Sequence, residues 1–177
     1  YNQFMKKLVV TKKYNDKKTK DLLKADFQNI CGYCGKDSQI MHENFHIDHF
    51  VPLEIAPERE EDYYNLVLSC PKCNLIKSSK WPTKDKNVAH DECRGFIDPA
   101  TEEYDRHIER DERGYIQGKT VLGKNVCENF NFHIRRTDLY WKIYHLYKIQ
   151  EQLEYLYDEN KLEETEKNYY IESNKLL

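Results

Sequence analysis

Two Cys-x-x-Cys pairs, Cys31-Gly-Tyr-Cys34 and Cys70-Pro-Lys-Cys73, constrain the fold of this chain more than any other feature. Four thiolates at that spacing suit one tetrahedral zinc ion, closed to water and used as a staple. The segment between the pairs must therefore leave one knuckle and return to the other. It carries His46-Ile47-Asp48-His49-Phe50-Val51-Pro52 and then Asn65, and Asn74 follows the last cysteine directly. A carboxylate beside a histidine, with a later amide, suits a second metal of the hard, oxygen-loving kind. One metal would hold the fold and the other would do chemistry.

The remaining residues bound the class of protein. The 177 residues suffice for one domain with a modest core. Charged residues make up 33%, and no apolar run approaches the ~20 residues of a membrane span. No signal-like segment opens the chain. It starts on Tyr1 rather than Met, so a few residues are expected to precede it. A cytoplasmic protein is expected, in which paired cysteines bind metal rather than form disulfides. Cys93 and Cys127 stand alone and are read as small, half-buried hydrophobes. The net charge of −3 does not mark a nucleic-acid binder, but its distribution is uneven. Residues 1–20 carry seven lysines against one aspartate, residues 71–86 carry five against one, and residues 151–177 carry eight acids against three lysines. A basic body with an acidic tail meets phosphates locally.

Apolar spacing predicts the elements. Leu22, Leu23, Phe27 and Ile30 recur at helical intervals over about 16–30, with Asp16 or Thr19 as cap, after a short strand around Leu8–Val10. Phe45-His46-Ile47-Asp48 alternates as a strand, with Phe45 and Ile47 toward the core and His46 and Asp48 toward a groove. Asn65–Ser69 reads as its partner, and Pro71 opens a short helix to about Ser79. On that helix Cys73 and Asn74 lie about 100° apart, so zinc and groove are served by different sides. Two hairpin strands are expected at 104–110 and 115–119, then a helix at 121–130. A long helix from Thr137-Asp138 carries Leu139, Ile143, Leu146, Ile149, Leu153 and Leu156 at threes and fours. Residues 160–177 either continue as a second helix or fray.

Strand, loop, strand and helix around a metal resemble the HNH family of endonucleases, closely so over residues 31–82. The carriers are CGYC, HIDHFVP, NLVLSC and PKCNLIK, followed by KSSKWP. Residues 98–130 resemble, more weakly, the hairpin and short helix that follow the motif in stand-alone members. The resemblance implies an α+β fold with a ββα-metal core stapled by Cys31, Cys34, Cys70 and Cys73, flanking helices and a small hairpin. Four segments are expected: a basic helical start at 1–30, the nuclease core at 31–82, an extension at 83–134 and an acidic-tailed helical end at 135–177.

A phosphodiester repels nucleophiles, so its hydrolysis needs a base, charge neutralisation and help for the leaving oxygen. By resemblance His49 is the general base, since an ordinary imidazole titrates near working pH. Asp48 and Asn74 would bind one Mg²⁺ or Mn²⁺ as Lewis acid, and Asn65 would orient His49 through backbone or ring bonds. The resemblance further implies 5′-phosphate and 3′-hydroxyl products. Lys77, Lys72, Lys80 and His46 are the expected nucleic-acid contacts. The substrate is expected to be DNA, double-stranded, and the setting a bacterial antiviral defence system. A homodimer or a regulatory partner such as an ATPase would dock on the C-terminal helix. The competing reading is a zinc-ribbon nucleic-acid-binding module without activity. A zinc hydrolase fails, because four cysteines leave zinc no open position.

Overall fold

The computed structural model describes residues 13–174, and the strand expected around Leu8–Val10 lies outside them. The chain divides into two compact units at Trp141 and Lys142. In the first, α1 (Lys17–Asp26) is capped by Asp16, whose side chain accepts from the Thr19 amide. It leads through Phe27 and Ile30, both buried, to the first knuckle. Gly35 takes the left-handed conformation there, at φ +70°, which a side chain would resist. Gly32 serves close approach instead: a Cβ there would meet the Phe27 ring at 2.8 Å.

β1 (His46–His49) pairs antiparallel with β2 (Leu66–Ser69), with His46 opposite Ser69 and His49 opposite Leu66. The Gly32 amide donates to Leu68 O at 2.9 Å, which ties the first knuckle to β2. α2 (Pro71–Lys77) follows at once, with Pro71 in its first turn, where no N–H is missed. This is the expected strand, strand, helix unit, with its first strand one residue later than the alternation predicts. The difference has a cause. Asp48 is 7% exposed, while Ile47 is only half-buried. The face carrying His46 and Asp48 is the one α2 covers, so it is not open groove as expected.

The extension departs from expectation at its start. Residues 104–107 are not strand: α3 (Glu102–His107) precedes β3 (Ile108–Arg110), which pairs with β4 (Ile116–Gly118). Acids at 102, 103 and 105 favour a helix N-terminus, and Arg106 and His107 favour its end. α4 (Val121–Asn129) is capped by Thr120. The unit closes on an aromatic cluster: Phe130 lies 4.7 Å from Tyr33, 5.3 Å from Phe132 and 5.6 Å from Phe96 between ring centres. Each such pair contributes about 0.5–1.5 kcal/mol beyond area burial.

α5 (Thr137–Asp158) crosses from the first unit to the second, which also holds α6 (Glu164–Asn174). The first part of the apolar stripe of α5 is exposed, with Leu146 at 66% and Ile149 at 52%, while Leu153 and Leu156 are half-buried. Cys93 is exposed rather than half-buried, and Cys127 is intermediate. Helices with two small antiparallel sheets make an α+β fold, as the sequence predicts. Among the described residues, no helix is long and apolar enough to cross a membrane.

Candidate active site and metal centre

The two knuckles meet. The sulfurs of Cys31, Cys34, Cys70 and Cys73 lie within 4.8 Å of one another, and all four residues are buried. Cys70 ends β2 and caps α2, its sulfur accepting from the Cys73 amide at 3.4 Å. Cys34 Sγ and Cys70 Sγ are 3.7 Å apart. Zn–S bonds of about 2.3 Å in a tetrahedron give edges of about 3.8 Å. Burial pushes the Cys31 and Cys73 thiols well up, while hydrogen bonds from its neighbours draw Cys70 down. Such a cluster holds four anions only against a cation, and its geometry and softness fit zinc. The guanidinium of Arg135 lies against it, with Nη1 3.3 Å from Cys73 Sγ. Burial works against that charge, yet the Cys73 and Cys34 thiolates hold it above the usual arginine range.

One side of β1 faces α2. His46 and Asp48 are two residues apart on a strand, and Asn74 and Lys77 three apart on a helix, so each pair shares a face. The faces meet in register. At the exposed rim Asn74 Nδ2 lies 3.4 Å from His46 Nδ1. Deeper, Lys77 Nζ lies 3.1 Å from Asp48 Oδ2, and the Tyr33 hydroxyl donates to the same oxygen at 2.5 Å. Asp48 Oδ1 takes neither donor. Burial pushes the Asp48 carboxyl up, against the pull of Lys77 and Tyr33, and pushes the Lys77 ammonium down against the pull of Asp48.

Lys77 thus stands elsewhere than the sequence suggests. As an expected phosphate contact it should be on the surface, but its side chain is 0% exposed. Its Nζ also donates to His49 O at 2.8 Å. The α2 face that aims Asn74 at β1 aims Lys77 at β1 as well, one turn on, and the Asp48 carboxylate offsets the charge so buried. Lys72 and Lys80 are exposed.

His49 points to the other side of β1. Its Nε2 lies 2.9 Å from Glu60 O, and the Tyr14 ring meets its ring edge-on at 4.8 Å. A carbonyl only accepts, so Nε2 carries the proton and Nδ1 is the basic nitrogen. Asn65 does not reach the ring. It is 4% exposed and grips Val51, accepting from its amide at 2.8 Å and donating to its carbonyl at 3.0 Å. It fixes the chain two residues past His49, and the Glu60 carbonyl orients the imidazole.

Residues 31–80 match the family model for HNH endonucleases. The segment is an HNH domain. No curated protein matches the chain. Within the HNH domain, the sequence reading omitted Tyr33 and Glu60. Tyr33 carried a signal, because a bulky phenol inside a knuckle must find a partner when buried. Glu60 acts through its carbonyl, which no side-chain pattern announces. His107, the extension histidine most open to a role, bonds Thr120 Oγ1 at 2.6 Å and belongs to the packing of α4.

Proposed function

We propose that this chain is a metal-dependent endonuclease that hydrolyses phosphodiester bonds of DNA. The observation that carries the reading is the state of His49: within an HNH domain, its Nε2 is tied to the Glu60 carbonyl and Nδ1 is left basic. In the proposed reaction His49 Nδ1 takes a proton from the attacking water. Asp48, through Oδ1, and Asn74, through its amide oxygen, hold a divalent ion. Their hard oxygen donors suit Mg²⁺ or Mn²⁺, which keep several waters. That ion supplies charge neutralisation at the phosphoryl and leaving oxygens. Lys77 and Tyr33 fix the carboxylate by its other oxygen, and Asn65 fixes the turn after β1. The four-cysteine cluster holds a structural Zn²⁺, and a reducing cytoplasm keeps its thiols available. Exposed Lys72, Lys80 and His46 supply phosphate contacts.

One site cuts one strand. The exposed leucines of α5 support a homodimer, or a regulatory partner such as an ATPase, as the route to a double-strand break. A place in antiviral defence rests on the family resemblance alone.

The alternative, a zinc-ribbon binding module, is favoured by one feature: the Asp48 carboxylate is already neutralised by Lys77. Nicking of supercoiled plasmid separates the two. The wild type should nick with Mg²⁺ or Mn²⁺ and stop with EDTA, and His49→Ala should lose about 10²–10⁴-fold in rate. Equal cutting by both proteins would remove His49 as base. DNA binding without cutting by either would favour the binding module.

A further inference from the structure

The four cysteines come from residues 31–73, yet a side chain well outside the HNH domain touches them. Arg135 follows the short turn Phe132–Ile134 and is 9% exposed. Its Nη1 donates to Cys73 Sγ and to Phe130 O, each at 3.3 Å, and its guanidinium lies 5.3 Å from the centre of the Phe132 ring. Its Nη2 is buried with no hydrogen-bond partner at all. A charged donor left unpaired in the interior costs more than a neutral one. A neutral cluster of four thiols gives no return for that cost. Four thiolates around one Zn²⁺ do, because they leave a net charge of about −2 in a dry site.

We propose that Arg135 is the counter-charge of a zinc–thiolate centre, donating to Cys73 Sγ and making zinc retention depend on the segment that follows the HNH domain. The proposal rests on the reading that the cluster holds zinc. Two other side chains from that segment bind the backbone of the same knuckle. Tyr104 Oη donates to Tyr33 O at 2.9 Å, and Arg110 Nη2 donates to Cys34 O at 2.8 Å. Of these bonds, the one from Arg135 to Cys73 goes to sulfur. A cation donating to a metal-bound sulfur offsets the net negative charge of the centre and so favours retention of the metal.

The test is competition for zinc between a chromophoric chelator and the full chain, for the wild type, Arg135→Met, Arg135→Lys and Tyr104→Phe. Tyr104→Phe removes a comparable attachment that touches no sulfur. Arg135→Met should bind zinc about 10–100-fold more weakly than the wild type. Arg135→Lys, which keeps the charge but not the fork, should fall between. Tyr104→Phe should stay near the wild type. Arg135→Met within twofold of the wild type would overturn the proposal. So would equal loss in Tyr104→Phe, since Arg135 would then be one structural anchor among several. If Arg135→Met gives no folded protein, Arg135→Lys against Tyr104→Phe decides by the same rule. A folded wild type that binds no zinc would overturn the zinc reading itself, a result distinct from both.

Discussion

Replacing Lys77 by Met tests the buried pair that joins the two sides of β1. Met keeps an unbranched stem beside the Phe96 ring, 5.9 Å from Nζ, and removes the charge together with the hydrogen bond to His49 O. The Asp48 carboxylate, 8% exposed by side chain, then has Tyr33 as its sole donor. Removing one partner of a buried pair costs about 3–5 kcal/mol. A ceiling on that cost comes from the alternative open to Asp48, which is to take up a proton. Protonating an ordinary aspartate of pKa about 3.9 at pH 7 costs about 4 kcal/mol, at about 1.36 kcal/mol per pH unit. The folded variant would then hold a proton that the unfolded chain releases. Its Asp48 pKa is raised, so the stability this group contributes is present at low pH and lost as pH rises. The deficit of Lys77→Met should therefore be about 4 kcal/mol at pH 7, smaller at pH 6 and larger at pH 8. Its slope should not exceed about 1.4 kcal/mol per pH unit. Urea unfolding of zinc-loaded protein without added Mg²⁺, at pH 6, 7 and 8, reads this directly. Adding Asp48→Asn should restore most of the loss and flatten the slope. A deficit under about 1 kcal/mol would refute the buried pair and return Lys77 to the surface, and a large deficit independent of pH would mean that Asp48 stays ionised in the variant.

Two further outcomes follow from the same structure. Asn65→Ala leaves both polar groups of buried Val51 unpaired and should cost about 2–4 kcal/mol in urea unfolding. It should also slow nicking without weakening DNA binding, since it disturbs the turn after His49 and touches no phosphate contact. Among the cysteines outside the cluster, iodoacetamide at pH 8 should label exposed Cys93 long before Cys127, as followed by mass spectrometry. Burial pushes the Cys127 thiol up to about 12, which leaves about one part in 10⁴ as thiolate at that pH. Equal labelling rates would mean that α4 opens in solution.

The four-cysteine cluster was legible because its chemistry lies in side chains at fixed spacing. Cys31, Cys34, Cys70 and Cys73 need only a chain that returns, and β1 and β2 return it. α2 was legible for a similar reason, since Pro71 after a cysteine marks a helix start. What alternation missed was which face of β1 is dry. Ile47 looks like the core residue, but α2 packs on the other side and makes Asp48 the more buried. A two-stranded sheet has two candidate faces, and the choice belongs to the helix that covers one. The pairing of Lys77 with Asp48 was within reach, because placing Asn74 beside β1 also places the residue three later there. The Glu60 carbonyl beside His49 was not, because a backbone acceptor in an irregular loop leaves no mark in the sequence.

That geometry bears on how neighbouring residues serve one phosphodiester. Consecutive side chains on a strand leave on opposite faces, so Asp48 and His49 cannot both line a groove on one side of β1. They can share a substrate only at the end of the strand, where the ladder stops. β1 does stop at His49, and Phe50 donates to Asn65 O at 2.7 Å just beyond it. On the nuclease reading the phosphate would sit across that end, with Asp48 on the α2 side and His49 on the side of the Glu60 loop. The two sides then need a fixed offset, since reacting groups must hold their positions to a fraction of an ångström. Lys77 is placed to set it, because one ammonium binds the Asp48 carboxylate and the His49 carbonyl together. A neutral side chain there would leave the buried carboxylate without its counter-charge. The requirement for a buried lysine at this point of α2 is thus a requirement of the strand's alternation, and it would hold whether or not any lysine of α2 touches DNA.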